Sequence, residues 1–173
     1  ITIIGEAISN SWEADANNVS IYIDKNTGSL VVKDDGIGMT TDDFQDKFLK
    51  IGYSKRRDGK HFSEKNRPYI GRKGIGKLAL LSCATKVTII SKVKNGDYVG
   101  GLIDNSKLDK AITEEEEVSK YALDGYDLNK LKKYTENHES GTIIYFENIH
   151  DGLKNSLEFL RKIIALYFRF SLI

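Results

Sequence analysis

The sequence is poor in cysteine and proline, and it has no excess of charge of one sign. A single cysteine, Cys83, excludes an intramolecular disulfide framework and a zinc site built from several cysteines. Lysine plus arginine (26) nearly equals aspartate plus glutamate (25), so the net charge of +1 provides no basic field for coating nucleic acid. No apolar run approaches the roughly 20 residues that span a bilayer, and the first residues do not form a signal-peptide pattern. These features predict a cytoplasmic protein without a membrane partner.

What is present is sufficient for one globular domain. Hydrophobic residues occupy 40% of the 173 positions, which allows a substantial core and excludes wholesale disorder. We expect residues 1–173 to form a single domain. Because the chain starts at Ile1 and ends in the apolar run 168–173, we also expect it to be a fragment of a longer protein.

Apolar periodicity and turn residues divide the chain into short helices and strands. Neighbouring strands are joined by the turns Asn26-Thr27-Gly28 and Asn95-Gly96, which favours antiparallel hairpins. The pattern predicts an α+β fold, a two-layer α/β sandwich with a mixed, mostly antiparallel sheet. Two segments interrupt this predicted fold: a long polar loop at about 52–76 and a charged insertion at about 105–137. The predicted helices are 1–16, 41–51, 77–83 and 157–168, and the predicted strands are 19–23, 30–33, 87–91, 98–103 and 141–148.

The first helix carries three polar residues on one narrow stripe. With about 100° per residue, Asn10 lies about 40° from Glu6, and Glu13 lies about 20° to the other side. A carboxylate beside an amide oxygen is suited to activating water and to binding Mg²⁺, which prefers oxygen ligands. The competing interpretation is the ordinary solvent-exposed face of an amphipathic helix. The apolar stripe on the opposite side consists of Ile4, Ile8 and Trp12.

A second motif, Asp34-Asp35-Gly36-Ile37-Gly38-Met39, follows the predicted strand 30–33. A carboxylate at a strand end can accept a hydrogen bond from an exocyclic amine such as N6 of adenine, and glycines let the backbone approach the ring. A tight turn with aspartate as the turn former explains the same residues equally well. The spacing does not match a calcium-binding EF-hand loop.

A third motif, Gly71-Arg72-Lys73-Gly74-Ile75-Gly76-Lys77, precedes a predicted helix. It matches the P-loop pattern except that Leu78 stands where a Mg²⁺-binding hydroxyl is required, and it matches a dinucleotide-binding fingerprint only loosely. Backbone N–H groups at a glycine-rich helix start, with lysines beside them, are suited to binding phosphate. A glycine hinge beside a solvated basic loop is the alternative.

In chain order, these motifs are Glu-x-x-x-Asn on a helix, Asp-x-Gly-x-Gly after a strand, and Gly-x-x-Gly-x-Gly before a helix. Together they resemble the GHKL superfamily, which includes DNA gyrase, the ninety-kilodalton heat-shock chaperone, histidine kinases and MutL, and which has the Bergerat ATP-binding fold. The resemblance covers about residues 1–150. The segments 12–16, 51–55 and 71–79 look most like the chaperone, MutL and MORC-type branch.

The resemblance implies a role for each matching position. Glu6 would be the general base that orients the attacking water, Asn10 would hold Mg²⁺, and Asp34 would bind the adenine amine of ATP. Residues 52–76 would form a mobile lid over the nucleotide. The branch usually has aspartate where this chain has Glu13. The further nucleotide-binding positions that the resemblance implies are Glu13, Gly36, Gly38, Met39, Gly71, Lys73, Gly74, Ile75, Gly76, Lys77 and Thr142.

The leading interpretation is an ATP-hydrolysing conformational switch that forms a homodimer on ATP binding in the full-length protein. Hydrolysis by this chain alone is expected to be slow, because the branch receives a catalytic lysine from a following domain. Two alternatives stay open: a regulatory module that binds nucleotide without turnover, and a histidine-kinase-like phosphotransfer domain, against which Glu6 argues. Direct nucleic-acid binding is not indicated by this domain. The histidines predicted to be ordinary surface residues are His61, His138 and His150.

Overall fold

The computed structural model describes residues 2–48, 61–70, 83–106 and 125–149. Within these ranges the α+β prediction is confirmed, because two α-helices accompany one five-stranded sheet. Positions 77–82 of the helix predicted at 77–83, and all of the helix predicted at 157–168, lie outside them. No helix in the four ranges is long and apolar enough to cross a bilayer. The elements are α1 (Thr2–Glu13), β1 (Val19–Asp24), β2 (Ser29–Asp34), β3 (Ala84–Lys92), β4 (Val99–Asp104), α2 (Leu128–Thr135) and β5 (Gly141–Ile149).

The sheet has the strand order β1-β2-β5-β3-β4, and every neighbouring pair is antiparallel. β5, the last described strand along the chain, lies at the centre between β2 and β3. In the β2–β5 pair Lys33 faces Ile143, so the carboxyl end of β2 lies beside the start of β5. Asp34 and Thr142, which are 108 positions apart in the sequence, therefore become neighbours.

Both predicted hairpins are present. β1 pairs with β2 along its whole length, from Val19 opposite Asp34 onward. β3 pairs with β4 around a turn in which the Gly96 N–H donates to the Val93 carbonyl at 2.9 Å. Among the strands, the largest boundary difference is at β3, which begins at Ala84 instead of position 87. Pairing with β5, which local periodicity does not show, extends this strand.

The sheet separates two apolar clusters. Successive strand residues point to opposite faces, so Leu30 and Val32 lie in the larger cluster with α1, while Val31 lies in the smaller one with α2. Leu131, which is 1% exposed, is the residue of α2 that closes the smaller cluster. The described end of the charged insertion thus covers the second face of the sheet. The larger cluster comprises Ile4, Ala7, Leu30, Val32, Phe44, Cys83, Ala84, Val87, Ile89, Ile103, Ile144 and Phe146.

The helix predicted at 41–51 is observed as a π-helical segment, Asp43–Phe48. Its start is capped by Thr40, whose Oγ1 accepts the N–H of Asp43 at 3.2 Å and whose hydroxyl donates to the Asp43 carboxylate at 2.9 Å. Phe44 and Phe48 stack with their ring centroids 5.5 Å apart, and both pack on the larger cluster. This aromatic packing anchors the segment that follows the second motif.

Residues 61–70, which belong to the predicted lid, form a compact turn that contacts the end of α1. Inside the turn the Ser63 N–H donates to the Arg67 carbonyl at 2.9 Å. The Trp12 indole N–H donates to the Pro68 carbonyl at 3.2 Å, and the Arg67 guanidinium lies 4.5 Å from the centroid of the Trp12 ring. Trp12 was predicted to belong to the apolar stripe of the helix. Its ring packs on this turn instead, where the Arg67 guanidinium lies over the ring face and the Pro68 carbonyl accepts the indole N–H.

Asp15 is the main anchor of this turn. It is buried just after α1 at a positive φ of 61°. Its Oδ1 accepts the Ser63 hydroxyl, its Oδ2 accepts the Lys65 N–H at 3.1 Å, and the Arg67 Nε lies 4.0 Å from Oδ1. The Lys65 ammonium donates to the Asp15 carbonyl at 2.9 Å. One buried carboxylate therefore holds three residues of the turn.

Asp15→Ala is expected to release residues 61–70 from α1. The variant loses two hydrogen bonds of a buried carboxylate and places alanine at a positive φ, a combined cost of about 2–4 kcal/mol. Hydrogen exchange at the Ser63 amide in the intact protein should accelerate accordingly. Asp15→Asn is the matched control, because asparagine tolerates the same φ, its oxygen can accept the Lys65 N–H, and its NH₂ group can donate to the Ser63 oxygen. Its effect should be smaller than that of alanine. Unchanged protection in the alanine variant would contradict the anchoring role.

Candidate functional site

Asp34, the last residue of β2, is 6% exposed and lies between α1 and β5. Its Oδ1 accepts the N–H of Gly36 at 2.9 Å and the N–H of Thr142 at 3.1 Å. Its Oδ2 accepts the hydroxyl of Ser11, on α1, at 2.9 Å. The orientation of the carboxylate is therefore determined by three separate parts of the fold.

Burial raises the pKa of Asp34 above its ordinary value of 3.8, although the hydrogen bonds from Gly36, Ser11 and Thr142 favour the charged form. The two carboxylate oxygens are not equally satisfied. Among the described residues, Oδ2 accepts the Ser11 hydroxyl alone, and that hydroxyl oxygen is also 3.0 Å from the Ala7 carbonyl oxygen. One proton is thus shared between two acceptors. Oδ2 therefore retains the capacity to accept a hydrogen bond from a ligand N–H group.

The loop after Asp34 packs so closely on its neighbours that two of its positions require glycine. A Cβ at Gly36 would lie 2.6 Å from the Ala14 carbonyl oxygen. Gly38 has a φ of +71°, and a Cβ there would lie 1.8 Å from the Lys92 carbonyl oxygen. The glycines thus bring this loop into backbone contact with the end of α1 and the end of β3.

Thr142 reaches the same place from β5. The Ser91 hydroxyl donates to the Gly141 carbonyl at 2.9 Å, and the Ser91 Oγ is also 2.9 Å from the Thr142 Oγ1. Because the Ser91 proton is directed to the carbonyl, Thr142 is the donor in the second contact. The lone pairs of its Oγ1 stay available as acceptors. The structure thus brings Thr142 and Asp34 together beside α1.

The polar stripe of α1 lies on the helix that also contributes Ser11 to Asp34. Glu6 and Asn10 are half-buried, and Glu13 is 8% exposed, so the stripe is not a simple solvent-facing surface. Half-exposed carboxylate and amide groups one helical turn apart remain accessible to a ligand. Met39, predicted to line the base pocket, is partly buried against the larger cluster.

Three residues around Asp34 were not predicted from the sequence: Ser11, Ser91 and His138. The prediction that His138 is a surface residue is wrong, because it is 6% exposed and its Nε2 lies 2.7 Å from the Asp34 carbonyl oxygen. Its burial depends on the pairing of β5 with β2, which no local pattern indicates. His61 is exposed, as predicted, and position 150 lies outside the described residues.

The third motif also lies outside the described residues, as do positions 52–60 and 71–76 of the predicted lid. Its contacts with phosphate therefore stay predictions. The residues concerned are Gly71, Lys73, Gly74, Ile75, Gly76 and Lys77.

Comparison with known proteins gives a consistent result. Residues 2–142 match the family described as "Histidine kinase-, DNA gyrase B-, and HSP90-like ATPase". The chain is 32% identical over 161 residues to "Putative type II restriction enzyme HgiDII" of Herpetosiphon aurantiacus, covering 93% of this chain and 24% of that protein. It is 30% identical over 139 residues to the chaperone protein HtpG of a Sulfurovum species, covering 76% of this chain and 19% of that protein.

A shorter match, 36% identical over 55 residues, is to the DNA mismatch repair protein MutL of Carboxydothermus hydrogenoformans, covering 31% of this chain and 10% of that protein. The chain spans about a quarter or less of the length of these three relatives. The family match covers most of the chain and includes α1, β2 and the first residues of β5, which surround the buried aspartate. The chain therefore belongs to the family of histidine kinase-, DNA gyrase B- and HSP90-like ATPases.

Proposed function

We propose that this domain binds ATP together with Mg²⁺, with the adenine amine on Asp34, and that it hydrolyses ATP with Glu6 as the general base. The observation that carries the proposal is the buried Asp34 carboxylate, whose Oδ2 retains the capacity to accept a hydrogen bond. A buried charged group is costly unless hydrogen bonds compensate it. A ligand amine that donates to Oδ2 would supply the missing compensation.

The chemistry of Asp34 favours adenine over guanine. Adenine presents an N6 amino donor where guanine presents the O6 acceptor. A carboxylate only accepts hydrogen bonds, so it pairs with the amine and repels the carbonyl oxygen. The main-chain N–H of Thr142 contacts Asp34, and the lone pairs of the Thr142 Oγ1 can accept a hydrogen bond from the base or from a bridging water. These contacts support ATP as the preferred nucleotide.

The side chains on α1 fit the other requirements of the reaction. Mg²⁺ prefers oxygen ligands and keeps several waters, so the Asn10 amide oxygen and the phosphate oxygens form a sufficient donor set. When bound, the ion neutralises charge that develops on the phosphates. Glu6, one turn earlier on the helix, would take the proton of the attacking water. Glu13 extends the same stripe and would help to orient Asn10.

Replacing Glu6 with glutamine tests the proposed role in hydrolysis. The amide cannot accept a proton from water at neutral pH, so ATP turnover by the intact protein should fall about 100-fold or more. The ATP dissociation constant should change by less than about threefold, because Glu6 does not contact the base in this proposal. Steady-state phosphate release and calorimetric ATP titration measure the two quantities.

Glu136→Gln is the matched control for this experiment. Glu136 is exposed at the C-cap of α2, on the opposite side of the sheet, and its substitution should leave both quantities unchanged. Loss of ATP binding in Glu6→Gln would contradict the separation of binding from catalysis. Absence of turnover in the wild-type protein, with binding intact, would instead favour a regulatory nucleotide-binding module.

We further propose that ATP binding and hydrolysis act as a conformational switch in the intact protein. The contacts of residues 61–70 with Trp12 and Asp15 support this, because they connect part of the predicted lid to the helix that carries Glu6 and Asn10. Homodimerisation on ATP binding and a cytoplasmic location stay predictions of the sequence.

A further inference from the structure

His138 is a buried histidine that the proposed reaction does not use. It lies between α2 and β5, and its main-chain N–H donates to the Thr135 carbonyl at 3.2 Å. One ring nitrogen, Nε2, is 2.7 Å from the main-chain oxygen of Asp34, and the other, Nδ1, is 2.8 Å from the Tyr98 hydroxyl. The imidazole also stacks on the Tyr98 ring, with centroids 5.9 Å apart. The ring therefore connects the adenine-binding aspartate to the opposite side of the sheet.

The hydrogen-bond partners determine which ring nitrogen carries the proton. A carbonyl oxygen can only accept, so Nε2 must donate to Asp34. Burial lowers the pKa of His138, as do the positive charges of Lys33 and Lys92, while the contact with Asp34 opposes this shift. The ring is therefore neutral at neutral pH, Nδ1 is an acceptor, and the Tyr98 hydroxyl donates to it.

A second contact continues this series of hydrogen bonds. The Tyr126 hydroxyl donates to the main-chain oxygen of Tyr98 at 2.7 Å. Tyr126 and Tyr98 both pack on the smaller cluster beside α2. The main chain of Asp34 is thus connected through His138 to the segment that covers the second face of the sheet.

The main chain of Asp34 has little freedom on the side of β5. A Cβ at Gly141 would lie 2.1 Å from the Asp34 carbonyl oxygen, so the two backbones are in direct contact. The donor from His138 approaches the same oxygen. Loss of this donor would leave a buried carbonyl without its partner, and the peptide of Asp34 would rotate toward another one. Such a rotation would move the carboxylate.

We infer that His138 is a positioning residue for nucleotide binding: its Nε2–H holds the Asp34 main chain and thereby aims the carboxylate at the adenine amine. This inference rests on the proposed function. It makes adenine affinity depend on a residue that stacks on Tyr98, a side chain packed on the smaller cluster beside α2. It also gives the contact of His138 with Tyr98 a part in setting that affinity.

Two substitutions at His138 distinguish the roles of the two ring nitrogens. The glutamine amide nitrogen takes the place of Nε2, so His138→Gln keeps the donor to Asp34. The asparagine amide takes the place of Nδ1, so His138→Asn keeps only the contact with Tyr98. Both variants lose the ring stacking equally. We expect His138→Gln to bind ATP within about threefold of wild type, and His138→Asn to bind about tenfold or more weakly, a loss of about 1.4 kcal/mol.

The measurement is calorimetric titration of the intact protein with ATP and, in parallel, with inorganic triphosphate. Triphosphate lacks the base, so its affinity should be the same in wild type and both variants. Equal losses of ATP and triphosphate in His138→Asn would overturn the inference, because they would indicate a general structural defect. Wild-type ATP affinity in His138→Asn would overturn it as well. If His138→Asn does not fold, His138→Gln provides the test alone, because it retains the donor to Asp34. A folded His138→Gln that binds triphosphate but no longer binds ATP would also overturn the inference.

Asp34→Asn keeps this test distinct from the proposed function. If wild-type protein does not bind ATP, or if Asp34→Asn binds it as tightly, the adenine assignment itself is wrong. If binding requires Asp34 but is indifferent to the residue at 138, only the positioning role is wrong.

Discussion

Asp34→Asn is expected to weaken ATP binding by two to three orders of magnitude without destabilising the domain. The new amide would keep its oxygen toward the N–H groups of Gly36 and Thr142, which places its NH₂ group toward Ser11. That NH₂ group would face the adenine amine, so one charge-assisted hydrogen bond is lost and two donors are opposed. Together these effects amount to about 3–4 kcal/mol.

The free energy of unfolding of Asp34→Asn, unlike its ATP affinity, should not fall below that of wild type. Burial raises the pKa of Asp34 in the folded protein, so the folded state favours the neutral carboxyl group. This contribution to stability is complete below the ordinary pKa of 3.8, and it is lost as the pH rises through the raised pKa. Asparagine is neutral throughout. Its oxygen keeps the two N–H donors, and its NH₂ group can donate to the Ser11 oxygen, whose hydroxyl then donates to the Ala7 carbonyl. At neutral pH the free energy of unfolding of Asp34→Asn should therefore equal or exceed that of wild type. The difference should vanish as pH falls below 3.8.

Asp24→Asn is the matched control, because Asp24 also ends a strand but is exposed. Hydrogen bonds from the N–H groups of Asn26 and Thr27 lower its pKa. Its contribution to stability is therefore present above pH 3.8 and is lost as pH falls through the lowered pKa, which is the opposite sign. ATP affinity should be unchanged in this control. Calorimetric titration and hydrogen exchange of β2 in the intact protein, between pH 3 and 8, measure both quantities.

Two results would contradict the role assigned to Asp34. One is ATP affinity within a few-fold of wild type in Asp34→Asn, which would remove the carboxylate from the base site. The other is a large loss of stability at neutral pH, which would mean that the charge is required by the fold and not by the ligand.

Gly38→Ala is expected to cost about 3–5 kcal/mol of stability, a large fraction of the total for a single domain. A Cβ at this position would lie 1.8 Å from the Lys92 carbonyl oxygen, so the loop after Asp34 would have to separate from β3. The φ of +71° adds strain for any residue with a side chain. Because the same loop supplies the Gly36 N–H to Asp34, ATP affinity should fall as well.

Gly28→Ala is the control that isolates the steric part of this effect. Gly28 has a similar φ of +61°, but a Cβ there would have nothing within 4 Å. Alanine at Gly28 should therefore cost only the backbone strain, about 1–2 kcal/mol, and leave ATP affinity unchanged. Hydrogen exchange of β2, β3 and β5 in the intact protein compares the two variants. Similar costs at the two glycines would mean that the contact with Lys92 is not rigid.

Local signals account for the parts of the fold that were predicted correctly. Alternating apolar residues and the turns near Gly28 and Gly96 are contained in short stretches, and the two hairpins they predict are present. The burial of Asp15 and its contacts with residues 61–70 were not predicted. Its partners are 48 and 50 positions away, and an aspartate after a helix looks the same whether it is anchored or solvated.

The α+β class, the order of the three motifs and membership in the ATPase family could be predicted from the sequence, because short patterns and their spacing carry all three. The groups that surround Asp34 could not be predicted in this way, because they come from distant parts of the chain. Its donor from α1 is 23 positions away, and its donor from β5 is 108 positions away. These groups meet because β5 inserts between β2 and β3, and the pairing of distant strands depends on burying both faces of the sheet at once. The pKa of Asp34 and the buried place of His138 follow from that pairing, since burial is a property of the assembled sheet.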